Sequence, residues 1–191
     1  MKNDIILAGV GGQGILSIAA IIGYAAVESD LFLKQAEVHG MSQRGGDVQS
    51  HLRLSSGEIW SDLIPEGKAT MIISVEPMES LRYLPWLSPE GWLITNTEPF
   101  INIPNYPDVE EVLEEIRTLP RHVALDAGKI ADEAGSKKAA NVVILGAASP
   151  FIDIPVEKLE KAIRQLFGKK GEELVEINLR ALHAGRAYAR Q

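Results

Sequence analysis

Ile5-Ile6-Leu7-Ala8-Gly9-Val10-Gly11-Gly12-Gln13-Gly14-Ile15-Leu16 runs from a short apolar strand, residues 5 to 8, through a glycine loop into an apolar helix. Glycines 9, 11 and 14 have G-x-G-x-x-G spacing: the first permits a tight turn, the second a close approach of ligand to backbone, the third close contact of helix and strand. The first turn of the helix leaves N–H groups free, and its dipole is positive at that end, so Gly11, Gly12, Gln13 and Gly14 are candidates for an anion-facing loop. A dinucleotide site also needs an acid about 20 residues further on, at the end of the second strand. That place reads Phe32-Leu33-Lys34-Gln35-Ala36, which argues against an ordinary NAD site.

The 191 residues, 46% hydrophobic and 24% charged, suffice for one good core, and no repeat or linker divides them, so residues 1–191 read as a single domain. A net charge of −7, with no basic run longer than Lys137-Lys138 or Lys169-Lys170, argues against a nucleic-acid partner. The longest apolar run, Ile15 to Val27, suits a buried helix and is too short for a bilayer span. A soluble, cytoplasmic protein is expected, with no membrane partner. The chain has no cysteine, which excludes a thiolate nucleophile and an iron–sulfur cluster held by this chain alone, and its four histidines lack metal-ligand spacing.

Beyond the first helix, about Gly12 to Glu28, a second strand is expected at Phe32 to Glu37. The polar loop that follows, His39 to Gly46, sets Arg44 beside two glycines, where backbone can approach a ligand or partner closely. Asp47 to Leu54 alternates as a half-exposed strand, with His51 on its polar side as a solvated or cross-strand residue. Ser55-Ser56-Gly57 reads as a turn and Glu58 to Ser61 as its return strand, a hairpin in a mixed sheet. Thr70 to Val75 and Trp92 to Thr97 read as strands, with a helix from Glu76-Pro77 between them and a turn at Ser88-Pro89-Glu90-Gly91. A helix at Val109 to Thr118 and a strand at His122 to Asp126 follow. The glycine loop, Glu76, Asn96 and Asp126 would share one crevice rim at the strands' carboxyl ends, although Glu76 and Asp126 are read first as helix caps. Three C-terminal helices, Val142 to Ala148, Pro155 to Phe167 with Gly168 as its stop, and Glu172 to Ala189, read as packing. The sum is an α/β fold: a Rossmann-like, doubly wound, mostly parallel sheet with a β-hairpin insertion and C-terminal helices.

Val10-Gly11-Gly12-Gln13-Gly14, followed by Ala36-Glu37-Val38-His39-Gly40-Met41-Ser42-Gln43-Arg44-Gly45-Gly46, resembles the gamma-type subunit of the 2-oxoacid:ferredoxin oxidoreductases. The likeness continues through Glu76-Pro77-Met78-Glu79, Leu81-Arg82-Tyr83, Ile94-Thr95-Asn96, Asp126-Ala127 and Asn141 to Ala147, and it looks most like the small subunit of the indolepyruvate branch. The resemblance implies a share in oxidative decarboxylation of an aryl pyruvate to an acyl-CoA, with electrons passed to ferredoxin. It implies thiamine diphosphate and iron–sulfur clusters on a large partner subunit, coenzyme A as co-substrate, and no cofactor or metal held by this chain alone. It places Gly11, Gly12, Gln13, Gly14, Ser42, Gln43, Arg44, Gly45, Gly46 and Asn96 near a joint active site and names no catalytic residue. Arg44 is the candidate for a carboxylate or phosphate, which its planar fork can bind through two parallel hydrogen bonds. A stand-alone nucleotide- or acyl-CoA-binding protein is the alternative.

Overall fold

The computed structural model of the chain describes residues 1–39 and 45–190. Among these, six strands form one sheet and seven α-helices cover its two faces. In chain order the strands are β1 (Lys2–Val10), β2 (Phe32–His39), β3 (Asp47–Ser55), β4 (Ala69–Ser74), β5 (Leu87–Asn96) and β6 (His122–Leu125). The helices are α1 (Ile15–Val27), α2 (Pro77–Arg82), α3 (Val109–Thr118), α4 (Ala127–Glu133), α5 (Ala140–Ala148), α6 (Val156–Phe167) and α7 (Glu172–Tyr188). No described helix is long and apolar enough to cross a membrane.

The sheet order is β2-β3-β1-β4-β5-β6, parallel from β1 through β6 and antiparallel where β3 meets β1 and β2. The hairpin is therefore β2–β3, not β3 with the stretch at Glu58 to Ser61. Both edges of β3 are occupied, so no ladder remains for residues 58–61. The Arg53 guanidinium instead holds that connection as a loop, donating to Ser61 O at 2.9 Å and Leu63 O at 3.0 Å while forking onto buried Asp4 of β1 at 2.7 and 3.1 Å. His51 is likewise not solvated. It is 4% exposed and its Nδ1 accepts the N–H of Ile64 at 3.0 Å, which requires the neutral ring. The turn expected at residues 88–91 lies inside β5, as a bulge where the β4–β5 register shifts between Ala69 and Met71. Gly91 is needed there, because a Cβ would stand 2.5 Å from Leu87 Cδ1 and 3.0 Å from Ala69 O.

α1, α4, α5, α6 and α7 share one core cluster, while α3 packs with the other face of the sheet around Ile6, Ile72 and Leu93. α1 has neither a side-chain cap nor charged end residues, so burial holds it. Ile18, Ile21 and Ile22 are all buried, each contributing about 1.5–3 kcal/mol, whereas a cap contributes about 1. α5 and α7 cross at two glycines: a Cβ on Gly146 would meet Leu182 O at 2.1 Å, and one on Gly185 would meet Val143 O at 2.0 Å. In α6, Leu159 and Ile163 are buried while Leu166 is exposed. α6 ends at Phe167 with Gly168 as its C-cap, as expected; the cap has φ −55°, and the positive φ falls at Gly171.

Gly146→Ala is expected to destabilise the chain by about 3 kcal/mol or more, since backbone on both sides must separate, while Gly168→Ala, with nothing within 4 Å, should be neutral or stabilise by up to about 1 kcal/mol. Urea unfolding of the two variants checks this. Burial, with the Arg53 charge adding to it, lowers the His51 pKa from its ordinary 6.5. The folded state thus binds fewer protons at this site, so His51's contribution to stability is full above 6.5 and is lost as pH falls through the lowered value. Melting temperature measured against pH should show this loss in the wild type and lack it in His51→Asn.

Candidate functional site

The two glycine stretches are stitched together by backbone. Gly11 N donates to Gly46 O at 2.8 Å and Gly45 N to Gly11 O at 3.4 Å, continuing the β1–β3 ladder past its last pair, Val10 with Asp47. This spends the Gly11 N–H, which is therefore no ligand donor. Gln13 also turns inward: its Oε1 accepts Val10 N at 2.8 Å, and its own N–H donates to Val10 O at 3.2 Å, closing the turn. Gly14 caps α1 with φ +84°, a left-handed conformation that favours glycine. Its close neighbour is not the strand: a Cβ would lie 2.6 Å from Asn141 Nδ2, which donates to Gly14 O at 3.0 Å.

Beside this loop, at the carboxyl ends of β1, β4 and β5, opens a cleft of about 430 Å³. The strand order reverses between β1 and β4, the place where open α/β sheets hold ligands. Gly12, Gln13 and Gly14 line it, with Ser17, Val75 and Asn96. Asn96 donates to Val75 O at 3.4 Å and Glu98 O at 3.3 Å and accepts Ala127 N at 3.0 Å, so it clamps three strand ends at the cleft wall. Glu76 is fully buried outside the cleft, where its Oε2 caps α2 through Glu79 N at 2.8 Å. Asp126 caps α4 through Lys129 N at 2.8 Å. The expected shared rim thus reduces to the glycine loop and Asn96, with both acids acting as caps. Gly11, Gly45 and Gly46 form the adjoining rim, and Ser42, Gln43 and Arg44 lie outside the described residues.

The far wall comes from helices read in the sequence as packing alone. Lys137 and Lys138, in the turn before α5, line the cleft with Asn141 of α5, Phe167 of α6, and Leu174, Ile177 and Asn178 of α7. Lys170 lies over the ring of the lining residue Phe167, 5.6 Å from its centroid, so Lys137 and Lys138 are the cations of the lining itself. Glu98 is the carboxylate among the described lining residues. Asn178, 4% exposed, donates Nδ2 to Leu174 O at 2.7 Å. The arrangement joins the N-terminus of α1 and a cationic mouth to an apolar floor of Val75, Ile144, Leu174 and Ile177, which suits a phosphate-bearing molecule with an apolar or aromatic part. The pair Lys137-Lys138 was the available signal in the sequence; its place beside the glycine loop was not.

The structure also accounts for the missing acid after the second strand. In a dinucleotide fold that strand lies next to β1, but here β3 separates β2 from β1. An acid at the end of β2 would stand two strand spacings, about 9–10 Å, from the glycine loop.

The sequence profile of the family described as "Pyruvate ferredoxin/flavodoxin oxidoreductase" matches residues 4–188. "Indolepyruvate oxidoreductase subunit IorB" of Archaeoglobus fulgidus is 39% identical over 97% of this chain and 94% of its own length. The subunit of the same name from Pyrococcus horikoshii is 35% identical over 100% of this chain and 97% of its own. Among solved structures, a 2-oxoglutarate:ferredoxin oxidoreductase from Magnetococcus marinus, with 2-oxoglutarate, coenzyme A and succinyl-CoA bound, superposes with a TM-score of 0.78 at 23% identity. That match takes in 99% of this chain but 31% of the larger one, so this chain spans about a third of that protein's length. Matched from residue 4 to residue 188 and aligned end to end with its relatives, the chain belongs to the pyruvate ferredoxin/flavodoxin oxidoreductase family.

Proposed function

We propose that this chain is the small subunit of a thiamine-dependent 2-oxoacid:ferredoxin oxidoreductase that converts an aryl pyruvate, indolepyruvate in the first instance, to its acyl-CoA, and that its cleft takes the phosphate-bearing part of coenzyme A. The observation that carries the reading is the cleft, where the α1 N-terminus and Lys137 and Lys138 meet an apolar floor, in a chain that follows indolepyruvate oxidoreductase small subunits over nearly its whole length. Coenzyme A supplies the thiol that accepts the acyl group. The residues here would bind and orient its anionic end: first-turn N–H groups of α1 and the two ammonium groups toward phosphates, Phe167 and Ile177 against the apolar part.

The donor set does not fit the redox groups. With no cysteine in the chain, iron–sulfur ligation falls to the partner, and the described residues contain no cluster of three or more His, Asp or Glu suited to the divalent ion of a bound thiamine diphosphate. The large subunit is therefore assigned both cofactors and passes electrons to ferredoxin in the cytoplasm. Arg44, directly before Gly45, is proposed to meet a carboxylate or phosphate at the joint site.

The purified chain should be colourless and inactive, and should give indolepyruvate- and coenzyme A-dependent dye reduction once mixed with its large subunit; turnover by the chain alone would overturn the assignment. In that complex, Lys137→Glu with Lys138→Glu should raise KM for coenzyme A by about tenfold or more, roughly 1.4 kcal/mol or more, with kcat at saturation little changed, and added salt should shrink the difference. Arg44→Ala should cost about 2–5 kcal/mol in binding, and Arg44→Lys should recover only part of it. Gly14→Ala should cost about 1–3 kcal/mol of stability, and less of it when Asn141→Ala has removed the contacting amide; equal costs in both backgrounds would show that Asn141 is not the obstacle.

A further inference from the structure

Glu76-Pro77-Met78-Glu79 and Leu81-Arg82-Tyr83 belong to the stretch the sequence singles out, yet none of these residues lines the cleft. They lie at the base of its rim. Tyr83 is 4% exposed, and its hydroxyl donates to both carboxylate oxygens of Asp47, at 2.9 and 2.8 Å. Asp47 opens β3 directly after Gly45 and Gly46, the residues bonded to Gly11. Glu76 is fully buried, and besides capping α2 its Oε1 accepts the N–H of Phe100 at 3.3 Å and the hydroxyl of Tyr106. These two contacts fasten the connection between β5 and α3, whose Asn102 donates to Gly45 O. α2 and its caps thus reach the same rim by two routes, through Asp47 from below and through Asn102 from the side.

The groups in this cluster are Asp47 from β3, Glu76, Glu79, Arg82 and Tyr83 from α2 and its caps, and Tyr106 from the following connection. Three carboxylates thus gather in one cluster, and its guanidinium, that of Arg82, forks onto Glu79 alone, at 2.7 and 3.1 Å. Buried like charges cannot all ionise without cost. Burial raises the Glu79 pKa above its ordinary 4.5; Arg82 opposes the rise and the nearby Asp47 adds to it. Burial followed by the Asp47 acceptor pushes the Tyr83 phenol up, and burial followed by Glu76 does the same for Tyr106, so both hydroxyls remain donors.

We propose that Tyr83 and Glu76 are positioning residues that hold the Gly45–Gly46 rim against the Gly11 loop and so set the geometry of the residues flanking the cleft. This is a property of the chain's own backbone, and it holds or fails independently of what the cleft binds.

The test is site-resolved amide exchange of the full-length chain, expressed as protection relative to the unstructured rate at each pH. Tyr83→Phe keeps the ring and removes only the hydroxyl; Glu76→Gln keeps the shape and removes the charge. Each should lower protection at Gly11 by about tenfold or more while Ile5 to Ala8 change far less, since local opening is separable from global unfolding. Tyr188→Phe, which removes a hydroxyl contact to Ala124 O at 3.2 Å elsewhere, should leave Gly11 as it is in the wild type. Unchanged protection at Gly11 in Tyr83→Phe, or a loss shared equally by Ile5 to Ala8, overturns the proposal, and Tyr83→Phe alone decides the matter if Glu76→Gln does not fold. In the reconstituted complex both variants should raise KM for coenzyme A more than they lower kcat. Lost protection with an unchanged KM would support the rim grip and count instead against coenzyme A in the cleft.

Discussion

An antiparallel strand laid between two strands that run the same way is the constraint on which the rest of this molecule depends. Because β3 enters between β2 and β1, its first residues arrive beside the end of β1, and the two glycine segments, far apart in sequence, pair there through Gly11, Gly45 and Gly46. The same insertion removes the second strand from the neighbourhood of the loop, and with it the place where a ribose-binding acid would stand. A loop with the spacing of a dinucleotide site thereby stands without that site's second strand beside it. Its first free N–H is already committed to a partner strand, and the open side faces α5 and α7.

How much of this was legible in the sequence depended on how local each cause was. The helix placed at about Val109 to Thr118 lies there, and the causes are local: Asp108 caps α3, and Val112 and Ile116 form its buried side. The caps Glu76 and Asp126 were equally local. Strand pairing was not: the alternation in Asp47 to Leu54 shows which side chains share a face but not which strand lies alongside, so the hairpin was assigned to the wrong neighbour. His51 was misread for a related reason: it is polar, yet buried because its ring accepts the backbone N–H of Ile64, in a segment elsewhere in the chain. The clamp that Asn96 forms on Val75 and Ala127 was hidden in the sequence in the same way. The cleft's far wall needed Lys137, Phe167 and Asn178 to be brought together with Gly14, and no periodicity of the sequence encodes that.

The charge distribution carries a similar lesson. A net charge of −7 describes a surface that repels anions at long range, yet Lys137 and Lys138 both line the cleft beside the N-terminus of α1. At physiological ionic strength screening acts over about 8 Å, so charges in the lining outweigh exposed acids further away than that. An acidic exterior and an anion-attracting cleft are compatible at this scale.

The cleft draws its lining from both ends of the chain, from Gly12 in the first loop to Asn178 in the last helix, and α7 can take its place only where Gly146 and Gly185 let two helices touch. It therefore does not exist until α7 has docked against α5. A ligand held there would report that α7 is in place. By mass action a ligand at a hundred times its dissociation constant would add about 2.7 kcal/mol to the folded state, a large share of a typical domain's stability, so supply of the small molecule and survival of the subunit would rise and fall together.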